Sequence, residues 1–341
     1  MLKQIMTAPH TIEFQEVPVQ EITDNQLLLK IIKIGICGSD IHVYHGQHPF
    51  TSYPITQGHE VSAEIVAMGS KVQGFVVGQK VTVQPQKVCG TCYPCTHGKY
   101  NLCEELKVMG FQTTGMASQF FAAEQGDVVA LPDEMSFDEG AMIEPLAVAV
   151  HAIKQAGDIK GKKVIVLGAG PIGILVAQTA KGMGAEQVMV TDISDWRLNK
   201  AAECGLELGV NTAQNDLGSA IYDAFGKDKA DIIYDCAGND ISMGQAIKYA
   251  RKGSAIILVA VFAKLASIDL AVLNDHELDL NTSMMYRRED YIDAIALVKD
   301  KKVALSPLVT RHFAFREYKE AYDYIDQNRE RCMKVMIDVQ A

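Results

Sequence analysis

The spacing of apolar residues changes along the chain and divides it into two regions. In the first region, residues 26–36 form an apolar, isoleucine-rich run of the kind that makes a buried strand. Short valine-rich runs follow between residues 60 and 83, and glycines separate them. Short strands joined by glycine-containing turns predict a compact β-barrel-like unit rather than a helical one.

From about residue 145 the pattern alternates between short apolar strands and helix-length segments. Strand-like runs occur at 164–167, 188–191, 231–235 and 255–261, and the segment 172–183 between the first two has helical spacing. Strands that alternate with helices predict a parallel sheet covered on both faces.

After about residue 285 the alternation fades. The segment 291–299 has helical spacing, and 334–339 is typical of a final strand. We infer that the tail returns to the first domain, which makes the second domain an insertion. The predicted boundaries are 1–147 together with 286–341 for the first domain, and 148–285 for the second.

Composition and charge narrow the classes of function. The 341 residues carry a net charge of −10, and no run of Lys or Arg forms a basic stripe. Binding to nucleic acid or to an anionic membrane surface is therefore not expected. The first residues lack the apolar core of a signal peptide, and the longest apolar runs fall short of the ~20 residues that cross a bilayer. We expect a soluble cytoplasmic protein.

A glycine-rich turn follows the strand-like run 164–167 and opens the helical segment. Its sequence, Gly168-Ala169-Gly170-Pro171-Ile172-Gly173, matches the dinucleotide-binding fingerprint in the strand–turn–helix context that the fingerprint requires. Gly168 permits the tight turn, Gly170 lets the backbone approach a pyrophosphate, and Gly173 lets helix and strand pack closely. The candidate cofactor-binding residues of this turn are Gly168, Gly170, Ile172 and Gly173.

An acidic residue ends the next strand, as the fingerprint also requires. Asp192 is placed to accept hydrogen bonds from the adenosine ribose hydroxyls, and its charge would repel the additional phosphate of NADP. The sequence therefore predicts NAD as the cofactor. Arg197 is a candidate to lie over the adenine, although a solvated helix residue explains it equally well.

Four cysteines crowd into one loop. Cys89, Cys92, Cys95 and Cys103 lie within fifteen residues. Clustered cysteines in a large cytosolic chain more often bind metal than form disulfides. Four soft ligands suit tetrahedral zinc and leave no position for substrate, so the predicted site is structural. An iron–sulfur cluster is the competing metal assignment.

A second metal site is predicted from residues that are distant in sequence. Cys37 follows the first buried strand, and His59 lies in Gly58-His59-Glu60. A catalytic zinc needs about three protein ligands and one open position. Glu60 or Glu144 is the candidate third ligand. We favour Glu144, because a carboxylate inside an apolar run is costly unless it has a partner such as a metal. Glu60 is then a catalytic residue that alternates with Glu144 at the metal or contacts its ligands.

Taken together, these motifs resemble the zinc-containing medium-chain alcohol dehydrogenases, and in particular their sorbitol (L-iditol) dehydrogenase-like polyol branch. The resemblance covers essentially the whole chain. It rests on the following motifs: Gly35-x-Cys37-Gly38-Ser39-Asp40-x-His42, Gly58-His59-Glu60, the four-cysteine loop, Ile143-Glu144-Pro145-Leu146, and the dinucleotide fingerprint with Asp192.

The resemblance implies a GroES-like β-barrel catalytic domain and a Rossmann cofactor domain with a doubly wound parallel sheet, with the active site in a cleft between them. It implies that Cys37 and His59 are zinc ligands, with Glu60 or Glu144 completing the site directly or through water. Ser39 is similar to the hydroxyl that relays the substrate proton, and His42 to the group that passes it towards solvent.

The Glu144-Pro145-Leu146 motif bears on the substrate, because simple alcohol dehydrogenases often carry Cys where this chain has Glu144. The resemblance therefore implies transfer of a hydride between a secondary alcohol of a polyol or sugar derivative and NAD, by a homodimer or homotetramer. At three positions the chain departs from the family pattern, and these departures weaken the assignment of any one relative's substrate to this chain. Ala63 stands where the family usually has Gly, Gln57 replaces the common hydrophobic residue before Gly58, and the run 256–261 lacks the glycine often found at its end.

Other functions remain open at this stage. An L-threonine 3-dehydrogenase or a 2,3-butanediol dehydrogenase of the same superfamily fits the same motifs. A non-catalytic NAD-binding regulatory protein is disfavoured, because all the candidate ligands are present. A zinc-finger nucleic-acid binder is disfavoured by the acidity of the chain. Tyr286, Arg287 and Arg288 are candidates to lie near a substrate pocket or a subunit interface, where the arginines could meet an acidic or phosphorylated substrate; a solvated basic turn before a helix is the alternative.

Overall fold

The computed structural model describes residues 1–262 and 264–341, and these residues form two compact units. The first unit consists of Met1–Glu144 and Val309–Ala341, and the second of Pro145–Leu308. Among the helices of the described ranges, none is both long enough and apolar enough to cross a membrane.

The first stretch of the chain is mainly β-structure. Its elements are β1 (Leu2–Ala8), β2 (Thr11–Glu16), β3 (Gln26–Gly35), α1 (Gly38–Tyr44), β4 (Glu60–Met68), β5 (Lys80–Val83), β6 (Gln86–Lys87), α2 (Tyr93–Thr96), β7 (Lys107–Val108), β8 (Phe120–Glu124), β9 (Val128–Ala130) and α3 (Phe137–Ala141). The middle of the chain alternates between helices and strands. Its elements are α4 (Ile143–Lys154), β10 (Lys163–Leu167), α5 (Pro171–Gly182), β11 (Gln187–Asp192), α6 (Asp195–Glu203), β12 (Leu208–Asn211), α7 (Leu217–Phe225), β13 (Ile232–Asp235), α8 (Asp240–Tyr249), β14 (Ala255–Leu258), α9 (Leu270–Asp275), β15 (Asp279–Thr282) and α10 (Arg288–Lys299). The last elements are β16 (Val309–Ala314), α11 (Tyr318–Gln327) and β17 (Lys334–Asp338).

A seven-stranded sheet forms the frame of the first unit. Its strand order is β16-β17-β3-β4-β5-β9, and β8 also pairs with β3. All of these pairings are antiparallel except the one between β16 and β17. The alternating side chains of β3 bury Leu27, Leu29 and Ile31 in a core that also includes Tyr318 and Tyr322 of α11. The expected β-barrel-like unit is confirmed.

A six-stranded parallel sheet forms the frame of the second unit. Its order is β12-β11-β10-β13-β14-β15. Numbered within the unit this is the order 3-2-1-4-5-6 of a dinucleotide-binding fold, in which the strand order reverses between the first and fourth strands. Here the reversal lies between β10 and β13. The expected doubly wound parallel sheet is confirmed.

The second unit extends further along the chain than the sequence boundaries of 148 and 285. Residues 286–308, which we expected in the first domain, belong to the second unit. The physical reason is a set of buried polar contacts: Asp290 of α10 accepts hydrogen bonds from His151 and Lys154 of α4, and the side chain of Gln178 in α5 bonds the backbone of Ala304 in both directions. The loss of strand–helix alternation after 285 carries no information about such contacts.

Candidate functional site

Three potential metal ligands converge where β3 ends and β4 begins. The sulfur of Cys37, a ring nitrogen of His59 and a carboxylate oxygen of Glu60 all lie within 4.8 Å of one another. Cys37 caps the N-terminus of α1 directly after β3, and Glu60 is the first residue of β4. Because β3 and β4 are antiparallel neighbours that pair Gly35 with Glu60, the end of one strand meets the start of the next.

The backbone before His59 is fixed by close packing. Gly58 has φ +91°, a left-handed conformation that favours glycine, and a Cβ there would lie 3.0 Å from the backbone nitrogen of Ala117. The turn therefore aims His59 into the interior, where it is buried.

Asp40 faces both Cys37 and His59. Its Oδ2 accepts the backbone N–H of Cys37 at 2.9 Å, and its Oδ1 lies 3.4 Å from His59 Nδ1, which is an ion-pair distance but long for a hydrogen bond. Burial lowers the pKa of His59, but the attraction of the Asp40 carboxylate outweighs it and holds that pKa well above its ordinary value. Because Nδ1 faces Asp40, Nε2 is the ring nitrogen left for a metal.

Glu60 has a cationic partner. Both of its oxygens lie within hydrogen-bond distance of Lys334 Nζ in β17, and both side chains are buried. A Cβ on Gly35 would lie 2.3 Å from Glu60 Oε2, so the missing side chain at position 35 is what makes room for the carboxylate. Burial lowers the pKa of Lys334, but the charges of Glu60, then Cys37, more than offset it, and the pKa is raised.

Glu144 lies outside the group formed by Cys37, His59 and Glu60, but its charge acts on Lys334, the partner of Glu60. It is buried in the first turn of α4, and its charge contributes to the raised pKa of Lys334. Within the described part of the chain, the group whose ligand atoms lie within 4.8 Å contains Glu60 and not Glu144. The sequence left these two carboxylates as alternatives and favoured Glu144.

The two residues expected to relay a proton lie on α1. Ser39 is half-buried and His42 is exposed. Because they are three residues apart on a helix, their side chains lie on the same face. The helix therefore places a hydroxyl close in sequence to the candidate ligand Cys37 and an imidazole one turn further along, where it is exposed.

The four loop cysteines form a second group. Their sulfurs lie within 4.8 Å of one another, with 3.6 Å between Cys89 and Cys103 and 3.9 Å between Cys92 and Cys103. Four sulfurs bound to one zinc at ~2.3 Å are about 3.8 Å apart, so the loop already has the spacing of a tetrahedral thiolate site. All eight cysteines of the chain are free.

Backbone N–H groups favour the thiolate form of Cys89, whereas burial and the neighbouring sulfur of Cys92 raise the pKa of the Cys95 thiol to about 12. The amides of Thr91 and Cys92 donate to Cys89 Sγ at 3.4 and 3.3 Å. These two hydrogen bonds lower the pKa of the Cys89 thiol to about 6. A thiolate is the form that binds a metal, so the donor set fits the predicted structural zinc.

The glycine-rich turn lies where the strand order of the parallel sheet reverses. Gly168, directly after β10, has φ +99°, and a Cβ there would lie 3.2 Å from Ala237, just after β13. A Cβ on Gly173 would lie 1.8 Å from the carbonyl oxygen of Gly168, so α5 packs directly on the turn. A Cβ on Gly170 would meet nothing within 4 Å, and Ile172 lies in the first turn of α5. The open side at Gly170 and the free N–H groups of the helix N-terminus fit a pyrophosphate.

Asp192 contacts this turn directly. Its Oδ2 accepts the backbone N–H of Ala169 at 2.8 Å, and its Oδ1 accepts that of Ser194 at 2.9 Å. Arg197 Nη1 lies 3.8 Å from Asp192 Oδ2. The carboxylate expected at the ribose is thus held against the turn expected at the pyrophosphate.

Comparison with known proteins agrees with these two units. The profile of the alcohol dehydrogenase GroES-like domain matches residues 23–133, and that of zinc-binding dehydrogenases matches residues 171–300. A sorbitol dehydrogenase of Halalkalibacterium halodurans is 36% identical over 95% of this chain and 94% of its own length. The chain belongs to the zinc-containing medium-chain alcohol dehydrogenase family.

Two further proteins to which the chain is similar are informative. A D-arabitol-phosphate dehydrogenase of Enterococcus avium is 33% identical over 95% of this chain and 93% of its own. A solved structure from Escherichia coli CFT073, described as a short-chain alcohol dehydrogenase in complex with NADH, superposes with a TM-score of 0.91 at 28% identity over 99% of both chains. The present zinc-containing alcohol dehydrogenase is therefore an oxidoreductase with a zinc-binding and a nicotinamide-dinucleotide-binding unit.

Sequence reasoning missed two residues of the candidate site. Asp40 could have been found, because an acid three residues after a helix N-cap often turns back to the cap backbone. Lys334 carries no local signal, because it lies 274 residues from Glu60.

Of the basic residues near 287, Arg287 caps α10 and pairs with Glu289 at 3.0 Å, while Arg288 is half-buried.

Proposed function

We propose that this zinc-containing alcohol dehydrogenase transfers a hydride between a secondary alcohol of a polyol or sugar derivative and NAD. The observation that carries the proposal is the convergence of Cys37, His59 and Glu60 beside the helix that bears Ser39 and His42. The substrate class is supported by relatives that act on sorbitol and on D-arabitol phosphate. Glu144, where simple alcohol dehydrogenases often carry Cys, supports the same class.

We assign the metal-holding role to Cys37 Sγ and His59 Nε2, with Glu144 or Glu60 as the third protein ligand. Zinc, when bound there, supplies a Lewis acid for the substrate oxygen. Asp40 holds His59 by charge attraction to Nδ1. Glu60 lies with Cys37 and His59 but is also paired with Lys334, and Glu144 is the carboxylate that its apolar sequence context favours, so both are retained as the third ligand.

The proton of the substrate hydroxyl has a route along α1. We assign its acceptance to the Ser39 hydroxyl and its transfer towards solvent to His42, the exposed residue one turn further on.

The cofactor-binding role falls to the second unit. Gly168, Gly170, Ile172 and Gly173 present the turn and the N-terminus of α5 to the pyrophosphate, and Asp192 accepts from the ribose hydroxyls, with Arg197 beside it. NAD, when bound, supplies the hydride-accepting ring. The negative charge of Asp192 supports NAD over NADP.

We also propose a cytoplasmic homodimer or homotetramer. Eight free cysteines, four of them grouped as metal ligands, support a reducing compartment. Analytical ultracentrifugation measures the oligomeric state directly.

The substrate is tested by an NAD-reduction screen over polyols, sugar-alcohol phosphates, sugar acids, diols and threonine. We expect the highest kcat/KM for a polyol or a polyol phosphate. Highest activity with threonine or 2,3-butanediol would replace the proposed substrate class by that of another branch of the same superfamily.

The chemistry is tested separately with Cys37→Ala. We expect this variant to lose turnover and one zinc per chain while it keeps its affinity for NADH, measured by fluorescence titration. Turnover that survives the substitution would refute the zinc mechanism whatever the substrate.

A further inference from the structure

Gln57 directly precedes Gly58 and is fully buried. Its backbone is fixed on both sides, because its carbonyl accepts the N–H of Ala117 at 2.8 Å and its N–H donates to Gln4 Oε1 at 3.2 Å. A buried amide costs free energy unless its donors and acceptor are used. The contacts of this side chain therefore indicate why it is there.

The Gln57 side chain bridges Asp40 and Tyr322. Its Nε2 lies 3.3 Å from both Oδ1 and the backbone oxygen of Asp40, and its Oε1 accepts the hydroxyl of Tyr322 at 2.5 Å. The chemistry fixes this orientation of the amide. A carboxylate only accepts, so Nε2 must face Asp40, and Oε1 must then face the donor Tyr322.

Tyr322 is held firmly at the far end of the bridge. It is fully buried on α11, and its ring stacks on Tyr44 with centroids 4.6 Å apart and planes 10° apart. Burial, with the charge of Asp40 adding to it, raises the pKa of Tyr322 well above its ordinary value, so the phenol stays protonated and remains a donor.

At the near end, Asp40 is the group that contacts the candidate metal ligands. One of its oxygens accepts from the backbone of Cys37 and the other faces His59 Nδ1. The oxygen that faces His59 is the same Oδ1 that Gln57 approaches. A rotation of the carboxylate would therefore disturb the amide bridge and the imidazole together.

We propose that Gln57 and Tyr322 are positioning residues, which hold the Asp40 carboxylate against His59 and so fix the orientation in which His59 presents Nε2 to zinc. This inference rests on the metal-binding role of Cys37 and His59 proposed above. Groups that orient a metal-bound imidazole typically contribute 10–100-fold, roughly, to metal affinity or activity. Gln57 acts one contact further out, through Asp40, and Tyr322 acts through Gln57.

The test is zinc affinity, measured on the purified full-length protein by competition with a chromophoric chelator. The variants are Gln57→Leu, which replaces the amide by an apolar group of similar size, and Tyr322→Phe, which removes a single hydroxyl. We expect the zinc equilibrium of the Cys37–His59 site, identified as the one that Cys37→Ala removes, to weaken about 10-fold or more in Gln57→Leu and by a smaller factor in Tyr322→Phe. The zinc of the four-cysteine loop should be unaffected and serves as an internal reference.

Tyr44→Phe is the matched control. Tyr44 is equally buried and stacks on Tyr322, but its hydroxyl donates to Asp323 and not to the bridge. Loss of that hydroxyl should leave zinc affinity unchanged. In cobalt-substituted protein, the visible absorption bands of the catalytic site should shift in Gln57→Leu and Tyr322→Phe and stay in place in Tyr44→Phe.

A double-variant cycle shows whether the two residues act together. If Tyr322 acts through Gln57, the double variant Gln57→Leu/Tyr322→Phe should lose no more zinc affinity than Gln57→Leu alone. Unchanged zinc affinity and cobalt spectra in folded Gln57→Leu and Tyr322→Phe would overturn the inference, even if both variants unfold more easily.

The Cys37→Ala variant separates this outcome from failure of the proposed function. Loss of one zinc from Cys37→Ala, with normal affinity in the Gln57 and Tyr322 variants, refutes the positioning role alone. Two zincs retained in Cys37→Ala refutes the metal site on which both proposals rest.

Discussion

Lys334 and Glu60 form a buried ion pair that joins the last strand of the first unit to β4. The two residues are 274 positions apart, and the Nζ–oxygen distances are 2.7 and 2.6 Å. The ammonium also donates to the backbone oxygen of Ile36 at 3.2 Å. Since the thiolate of Cys37 and the carboxylate of Glu144 both lie in range of this cation, Lys334 offsets the negative charge that gathers around the candidate zinc ligands.

Removal of this cation should destabilise the first unit. Lys334→Met keeps an unbranched chain but leaves the Glu60 carboxylate buried without a partner. Breaking a buried pair on one side costs about 3–5 kcal/mol. The free energy of unfolding in urea, measured with saturating zinc, is expected to fall by that amount.

An exposed ion pair provides the control for Lys334→Met. Lys71 pairs with Asp24 at 3.0 Å, with side chains 67% and 55% exposed. Lys71→Met should cost less than about 1 kcal/mol, because an exposed pair gains little over its hydrated groups. Equal losses in the two variants would contradict the importance that we assign to burial of the Glu60 pair.

Removal of one loop cysteine should release the structural zinc and leave the catalytic one. Wild-type protein is expected to contain about two zinc per chain and Cys103→Ser about one, because the four-thiolate shell needs every ligand. Atomic emission measures the metal content. Cys204→Ser, which changes a buried thiol outside both groups, should keep both metals. Iron with visible absorbance in the wild type would refute the zinc assignment.

Cofactor choice should depend on Asp192. With alanine at this position, the repulsion of the NADP phosphate is removed, and so is a hydrogen-bond acceptor for the NAD ribose. The ratio of kcat/KM for NADP to that for NAD should rise by at least about 10-fold, equivalent to about 1.4 kcal/mol. Asp195→Ala removes a nearby carboxylate that bonds Asn211 instead, and should leave the ratio unchanged.

Local patterns in the sequence predicted most of the regular structure. The isoleucine-rich run 26–36 became β3, and the run 164–167 with the glycine turn and helix 172–183 became β10 and α5 within one or two residues. These elements were predictable because strand and helix periodicity and the needs of a tight turn are written in adjacent residues. The grouping of Cys89, Cys92, Cys95 and Cys103 was predictable for the same reason.

Long-range pairing set the limit of what could be predicted. Nothing near Lys334 identifies its buried partner, and nothing near Gln57 identifies Tyr322, which lies 265 residues away. The helical spacing of 291–299 was correct for α10, but its place in the second unit depends on the contact of Asp290 with His151 and Lys154. Such contacts follow from the fold, and the one-dimensional pattern does not contain them.

The Asp290 carboxylate should contribute stability that depends on pH. It is fully buried, and it accepts from His151 Nδ1 at 2.8 Å, from Lys154 Nζ at 2.7 Å and from the backbone of Arg287 at 2.7 Å. Burial by itself raises the pKa of Asp290, but the hydrogen bonds from His151 and Lys154 outweigh burial and hold the pKa below its ordinary value. A carboxyl group whose pKa is lower in the folded state stabilises that state above its unfolded pKa of about 3.9.

Asp290→Asn should therefore be less stable than wild type by about 1–3 kcal/mol at pH 7, since a charged acceptor is lost from a buried site. As the pH falls below about 4 and through the folded-state pKa, the wild-type carboxylate is protonated and the difference should shrink. Urea unfolding at a series of pH values measures it. Asp293→Asn is the matched control, because Asp293 also pairs with Lys154 at 2.7 Å but is 49% exposed. A difference for Asp290→Asn that stays constant down to pH values where both proteins still fold would mean that the ionised carboxylate is not the stabilising form.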